Sequence, residues 1–349
     1  MTDDVIKLEP MAIPVEQLAD LPTSPRIIHR SDAEADNQMS FTDYKKKLEK
    51  TGYRFVGDHS AIKICEWTKK SITGKGSCYK QRFYGINSHQ CAQTSVSVNF
   101  CDKDCIYCWR KRFNEPYKVI DDPVQVLDNI QAAQDKLLTG LGGYDKTDIE
   151  KFVASHEIKH FAISLTGETL SYPRINEFIK EIKKRGKTSF VVTHGGFPEA
   201  IEKLEPPTQL YLSLDAPNKE LFHLIDRPNN THSWERVLQS LDALKHIKEK
   251  TRTVIRLTIM QEINMIDPKG YADLIMRGEP HFLEIKAFML IGASRERLRG
   301  GNMPKHTEVK AFAEEISKHC PYKIIDEAPE SRVVLMMQND LPERIMRFD

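Results

Sequence analysis

The sequence predicts an α/β fold: a parallel sheet, open or curled into a partial barrel, with extensions at both ends. Three observations predict it. From about Gln93, six short apolar, β-branched runs recur, each bounded by polar or Gly/Pro punctuation. Helical patterns lie between them. Polar or glycine-rich stretches follow five of the six runs, on the rim where parallel α/β folds build ligand sites.

Taken in order, residues 1–40 read as an acidic, loosely ordered arm, with 3 Lys/Arg against 8 Asp/Glu. Residues 41–92 form an N-terminal extension: a charged helix at 41–50, then loop-like sequence containing Gly74, Gly76 and Gly85. The sheet region spans 93–320. Strands are expected at 94–100, 159–165, 189–193, 209–215, 253–260 and 282–290, and helices at 123–138, 173–185, 233–248, 268–276 and 307–319. Four of the five helices open on Pro or Ser, a start signal. Two more strands, 322–326 and 332–337, belong to a C-terminal extension over 321–349.

At 349 residues the chain can bury a large core. No apolar run approaches the ~20 residues that cross a bilayer, and MTDDVIKLEP lacks the basic-then-apolar order of a secretory signal. A cytoplasmic protein with no membrane association is expected. In that reducing setting, clustered cysteines more often mean metal or redox chemistry than disulfides. Residues 41–120 carry 16 Lys/Arg against 7 Asp/Glu and hold six of the seven cysteines. Such a surplus is either a solvated lysine-rich surface or a region facing a polyanion.

Cys101, Cys105 and Cys108 lie in "NFCDKDCIYCWRKRF", directly after the first expected strand. Three thiolates are one short of a closed structural zinc site. On a 4Fe–4S cluster they leave one iron open, which an amino acid's amine and carboxylate could chelate. The alternative is zinc completed by a distant ligand such as His89 or His194. A second set, Cys65, Cys78 and Cys91, has two equal gaps of twelve residues. It offers a second three-thiolate site, or three unrelated buried cysteines. Cys320 reads as structural.

The C-x3-C-x2-C loop, with Tyr107 before its last cysteine, resembles the radical S-adenosylmethionine superfamily. The resemblance implies a partial (β/α)6, TIM-like barrel whose open iron binds S-adenosylmethionine. It also implies that Thr166, Gly167 and Glu168 of "SLTGE" hold the methionine amine. Ser213, Asp215, Asn264 and Gly292 would meet the ribose and adenine. The upstream cysteines, "CYKQRFYGI", "QTSVSVNFC", "LYLSLDAP", "HSWERVLQSL" and "EIKAFM" narrow the likeness to the tRNA 4-demethylwyosine synthase family.

That likeness implies two 4Fe–4S clusters, S-adenosyl-L-methionine as cofactor, and a carbon–carbon lyase-type enzyme. Its substrates would be pyruvate and phenylalanine tRNA bearing N1-methylguanosine. Lys80 would form a Schiff base with pyruvate, unless the second cluster chelates the keto acid and Lys80 assists electrostatically. Eukaryotic members add a flavodoxin domain for which this length leaves no room, so a separate flavodoxin- or ferredoxin-like electron donor is expected, as is a monomer. Arg110, Lys111, Arg112, Arg295, Arg297 and Arg299 are the expected tRNA contacts, with Lys45–Lys47, Lys69, Lys70 and Lys75 adding charge nearby. Trp109, Tyr79 and Phe83 would be stacking platforms for a splayed base, or else core. Two other readings stay open: a different two-cluster radical enzyme such as an RNA methylthiotransferase, and a non-catalytic zinc-stabilised RNA-binding module.

Overall fold

The computed structural model describes residues 39–348. The expected N-terminal arm lies outside the described residues, save Met39 and Ser40. Six parallel strands form the centre of the sheet: β3 (Cys91–Ser95), β4 (His160–Ile163), β5 (Thr188–Thr193), β6 (Gln209–Ser213), β7 (Arg252–Ile259) and β8 (Phe282–Ala287). An antiparallel pair, β1 (Tyr53–Phe55) and β2 (Ala61–Lys63), flanks β3. On the other edge β10 (Val333–Met337) pairs antiparallel with β8, and β9 (Lys323–Ala328) with β10. The order β1-β2-β3-β4-β5-β6-β7-β8-β10-β9 is an open, partial barrel of ten strands.

Helices cover the outer face for reasons visible in the sequence. Asp122 caps α4 (Pro123–Leu138) by accepting from the Val124 and Gln125 amides, and Pro123 supplies a pre-set φ at the first turn. Ile175, Phe178, Ile179 and Ile182 form the buried stripe of α6 (Ile175–Lys184). The helices α9 (Ser233–Ile247), α10 (Pro268–Gly278) and α11 (His306–Ser317) bury similar stripes in the same large core.

The inner face is different. Residues two apart on a strand share a face, so Tyr211, Ser213, Val254, Arg256, Phe282, Glu284, Lys286 and Leu335 point the same way. Against the apolar members packs α3 (Tyr79–Tyr84), whose Tyr79, Phe83 and Tyr84 are buried. C-terminal residues clasp α3 from outside: the Met346 amide donates to Tyr84 O at 2.9 Å, and Arg344 Nη1 donates to Phe83 O at 3.0 Å. A further small core joins α1 (Phe41–Lys50) to β1 through Tyr44, Leu48 and Tyr53.

The first expected strand is shifted. It begins at Cys91 and ends at Ser95, not Phe100. Beyond Ser95 the chain turns aside, because the Val98 amide donates to His59 O at 2.9 Å and Val98 buries beside Tyr44 and Tyr53. The loop-like reading of residues 51–90 also missed β1, β2, α3 and α2 (Glu66–Ile72). These are only three to seven residues long, too short to show a period.

Leu335 is fully buried on the inner face, opposite Glu284. Leu335→Ala is expected to cost about 2–5 kcal/mol, read as an earlier midpoint in urea denaturation.

Candidate functional site

The cysteine loop is held from several sides. Asp104 N and Ile106 N donate to Asp226 O and Ile225 O at 3.0 and 2.8 Å, at the end of α8 (Lys219–Asp226). The Lys103 ammonium, 3% exposed, donates to Asp226 Oδ2 at 2.7 Å and to His194 O at 2.8 Å. Burial works against that charge, and Asp226 outweighs it, holding the Lys103 pKa above its usual value. Arg297 closes the far side through Asp104 Oδ1 at 3.0 Å and Cys108 O at 2.7 Å. Two glycines allow close approach at positive φ: a Cβ on Gly167 would fall on Ser97 O, and one on Gly292 on Trp109 O. The three thiols are free. Burial pushes Cys108 up to about 11, and burial with Asp226 holds Cys105 well above the ordinary thiol range. Such thiols ionise when a metal takes them as ligands, which fits an inorganic core.

The residues expected around S-adenosylmethionine fall into two groups. The Thr166 carbonyl accepts from Ser95 Oγ. Glu168 is 2% exposed, and its carboxylate accepts from Leu170 N, Thr193 Oγ1 and His194 N at 3.0, 2.7 and 3.0 Å. Asp215 is also internal, accepting from Tyr107 OH at 2.5 Å and Thr258 N at 3.1 Å. Burial, then the Asp226 carboxylate, pushes Asp215 up to about 7. Asn264, fully buried, closes the turn after β7 through Met260 N, Asp215 O and Thr258 O. Ser213 is half-buried in the row with Arg256 and Glu284.

Of the two histidines weighed as zinc ligands, His194 lies beside the loop: ligand atoms of Cys101, Asp102 and His194 come within 4.8 Å of one another. His194 Nε2 faces Asp102 at 2.7 Å and Glu168 at 3.2 Å. His89 faces Lys151 and Asp148 instead.

The structure also gathers the second cysteine set. Cys65 and Cys78 are the N-cap residues of α2 and α3, and Cys91 opens β3. Burial raises all three thiols, Cys78 to about 11, and Cys65 adds to the shift at Cys78 and Cys91. Lys80 is 9% exposed, with its ammonium over the rings of Tyr211 at 4.4 Å and Phe190 at 5.1 Å. It makes no hydrogen bond or ion pair among the described residues. Burial, then Arg256, lowers its pKa.

Around it sits a network absent from the expectations. Glu284, 0% exposed, accepts from Tyr84 OH at 2.7 Å, Tyr79 OH at 3.1 Å and Arg256 Nε at 3.0 Å. Lys286 Nζ lies 4.9 Å from the Tyr79 ring centre and donates to Ser331 O at 2.9 Å. Burial, then Arg256, pushes Lys286 down to about 8. The available signal was charge at alternate positions of otherwise apolar strands, in "VIRLTI" and "FLEIKA".

The six expected tRNA contacts are not equivalent. Arg110 stacks on Trp109 at 3.7 Å and Tyr53 at 4.5 Å, and Arg297 is committed to the cysteine loop. Lys111 lies 3.6 Å from Glu296, and Arg112 donates to Asn229 Oδ1 at 2.7 Å. Arg295 and Arg299 are exposed, Arg299 bonded to Glu262 at 2.7 Å. Tyr79 and Phe83 are core residues and offer no face to a splayed base. A cavity of about 460 Å³ lies at the opposite ends of β5–β8, lined by Lys183, Lys187, Lys248, Arg252 and His281 among others.

The Radical SAM superfamily model matches residues 95–275, and the family of wyosine base formation matches residues 277–338. The chain is 42% identical over 306 residues to the S-adenosyl-L-methionine-dependent tRNA 4-demethylwyosine synthase of Pyrococcus abyssi, covering 84% of this chain and 88% of that protein. Against the protein of the same name from Pyrococcus horikoshii it is 43% identical over 303 residues, with coverage of 84% and 88%. A solved structure of TYW1 with a lysine–pyruvate adduct bound superimposes with a TM-score of 0.79 at 36% identity, over 87% of this chain and 98% of that one.

Arg297→Ala removes two bonds that hold the cysteine loop and is expected to destabilise by about 1.5–3 kcal/mol. Arg295→Ala should stay within about 0.5 kcal/mol of the parent, both read from urea denaturation.

Proposed function

Since the chain belongs to the family of S-adenosyl-L-methionine-dependent tRNA 4-demethylwyosine synthases, a branch of the radical SAM superfamily, we propose that it condenses pyruvate with N1-methylguanosine beside the anticodon of phenylalanine tRNA. The observation that carries the reading is Lys80: a buried amine without a hydrogen-bond partner, beside three thiols, in a chain 42% identical to a named synthase.

In this reading Cys101, Cys105 and Cys108 would hold a 4Fe–4S cluster that works together with S-adenosylmethionine. The donor set fits, being three free thiols on a loop with close backbone approach at Gly167 and Gly292. When bound, the pair supplies a 5′-deoxyadenosyl radical and releases 5′-deoxyadenosine and methionine. Thr166 and Gly167 offer backbone to the methionine end. Glu168, which positions His194 and the end of β5, meets the methionine amine in this reading. Ser213, on the inner face of β6, meets the ribose in this reading. Asp215 and Asn264 fix the strand ends around it.

Cys65, Cys78 and Cys91 hold a second 4Fe–4S cluster in the same reading. The Lys80 nitrogen adds to the carbonyl carbon of pyruvate and water leaves, giving a C=N bond. A desolvated amine over two aromatic rings favours this nucleophilic role over a purely electrostatic one. A hydrogen leaves the N1-methyl group of the guanosine, and the methyl carbon joins the pyruvate carbonyl carbon. The bond from that carbon to the carboxyl carbon breaks, so the third carbon departs as a one-carbon fragment, and the guanine exocyclic amine displaces the Lys80 nitrogen to close the ring on the two retained carbons, hence the carbon–carbon lyase class. Arg112, Arg295 and Arg299 remain as tRNA contacts. A separate flavodoxin- or ferredoxin-like donor supplies electrons to a monomer in the cytoplasm. All seven cysteines are free, and no helix among the described residues is long and apolar enough to cross a membrane.

The test is mass spectrometry of N1-methylguanosine-containing tRNA after anaerobic incubation with pyruvate, S-adenosylmethionine and dithionite. The tricyclic product is expected with the parent enzyme; an unchanged tRNA, or a methylthio mass, refutes the reading. Cys65→Ala should lose about half of the bound iron, by colorimetric assay. Lys80→Ala should make no tricycle while still releasing 5′-deoxyadenosine on chromatography.

A further inference from the structure

We propose that Lys286 binds the carboxylate of the keto acid held at Lys80, and so makes the site prefer an α-keto acid over an uncharged ketone. The inference rests on the reading of Lys80 as the pyruvate-bearing residue. It names the part of the pocket that recognises the rest of that substrate.

The inner face brings three basic side chains together, Lys80, Arg256 and Lys286, beside the Glu284 carboxylate and the Cys78 thiol. A buried cation without a counter-charge is costly, so such a cluster is completed by an anion. Glu284 cannot serve all three. It already accepts from Arg256 Nε and from the hydroxyls of Tyr79 and Tyr84. Arg256 is already tied to the framework, with Nε on Glu284 and one Nη2 N–H on Tyr79 OH at 2.9 Å. The Lys80 nitrogen is itself spent on the C=N bond.

Lys286 is left. An ammonium carries three N–H donors, and the structure engages one of them, on Ser331 O at 2.9 Å. The other two are available to a carboxylate. Tyr79 sets the neighbourhood: its ring lies under Lys286 at 4.9 Å, and it immediately precedes Lys80 in α3. The register agrees. Lys286 is two residues beyond Glu284 on β8, on the face that carries Arg256 and Tyr211.

The test compares pyruvate with pyruvamide, a neutral substrate mimic of nearly the same size. Reconstituted full-length enzyme is incubated with each and with cyanoborohydride, and the reduced adduct is followed by intact-protein mass spectrometry. The parent should reach half-maximal adduct at about tenfold lower pyruvate than pyruvamide, the worth of a charge-assisted hydrogen bond. Lys286→Met should bring the two together by raising the pyruvate concentration required and leaving that of pyruvamide nearly unchanged. Lys286→Arg should restore part of the preference. A Lys286→Met variant that keeps the preference overturns the inference and favours chelation of the keto acid elsewhere. One that loses both adducts shows that Lys286 supports the site instead of selecting its ligand, which also overturns it. Failure of the parent to trap either compound removes the Lys80 reading itself, a distinct result.

Discussion

A single buried carboxylate organises the interior of this barrel. Glu284 has no exposure and accepts from groups on two different elements, Arg256 on β7 and both Tyr79 and Tyr84 on α3. Burial penalises such a charge heavily unless its lone pairs are satisfied. The need to satisfy them fixes where α3 sits against the sheet. Because Cys78 is the N-cap residue of α3 and Lys80 lies in its first turn, the same requirement places the amine over Tyr211 and Phe190 and packs Cys78 against the same apolar cluster. The chemistry of the inner site therefore inherits its geometry from an electrostatic constraint one residue removed from it.

The rim of the barrel uses the same device twice. Glu168 gathers the Leu170 and His194 amides with the Thr193 hydroxyl, tying the ends of β4 and β5 together. Lys103 and Asp226, both almost fully buried, tie the cysteine loop to α8. Both arrangements spend most of the charged group's hydrogen-bonding capacity on the fold. Their work is to hold backbone, and backbone is what a loop of three thiols needs if its sulfurs are to point at one centre. Glu168 and Asp215, which a motif brings forward as ligand contacts, also hold the framework.

The parallel strands were legible where apolar and β-branched residues persist over enough positions to define a run, as in 252–259. Both cysteine sets were legible because their spacing is local. The short elements before Cys91 were not, since α2 and α3 begin at cysteines that provide no side-chain cap hydrogen bond. The distinction between Arg295 and Arg297 was equally invisible. It is made by Asp104 and by the Cys108 carbonyl, almost two hundred positions away in sequence. The Glu284 network escaped for the same reason, its partners lying 28, 200 and 205 residues distant. Long-range pairing decides which charges are surface and which are framework, and no local pattern carries that information.

The clasp of Arg344 and Met346 on α3 has a consequence for how the protein is made. Arg344 and Phe83 are 261 residues apart, which a ribosome covers in roughly 13–50 s at about 5–20 residues per second. During that interval Cys65, Cys78 and Lys80 exist on a nascent chain whose covering strands are still being synthesised. Thiols destined for a buried site thus begin life exposed, and their survival depends on the redox state of the surroundings during translation rather than on the finished fold.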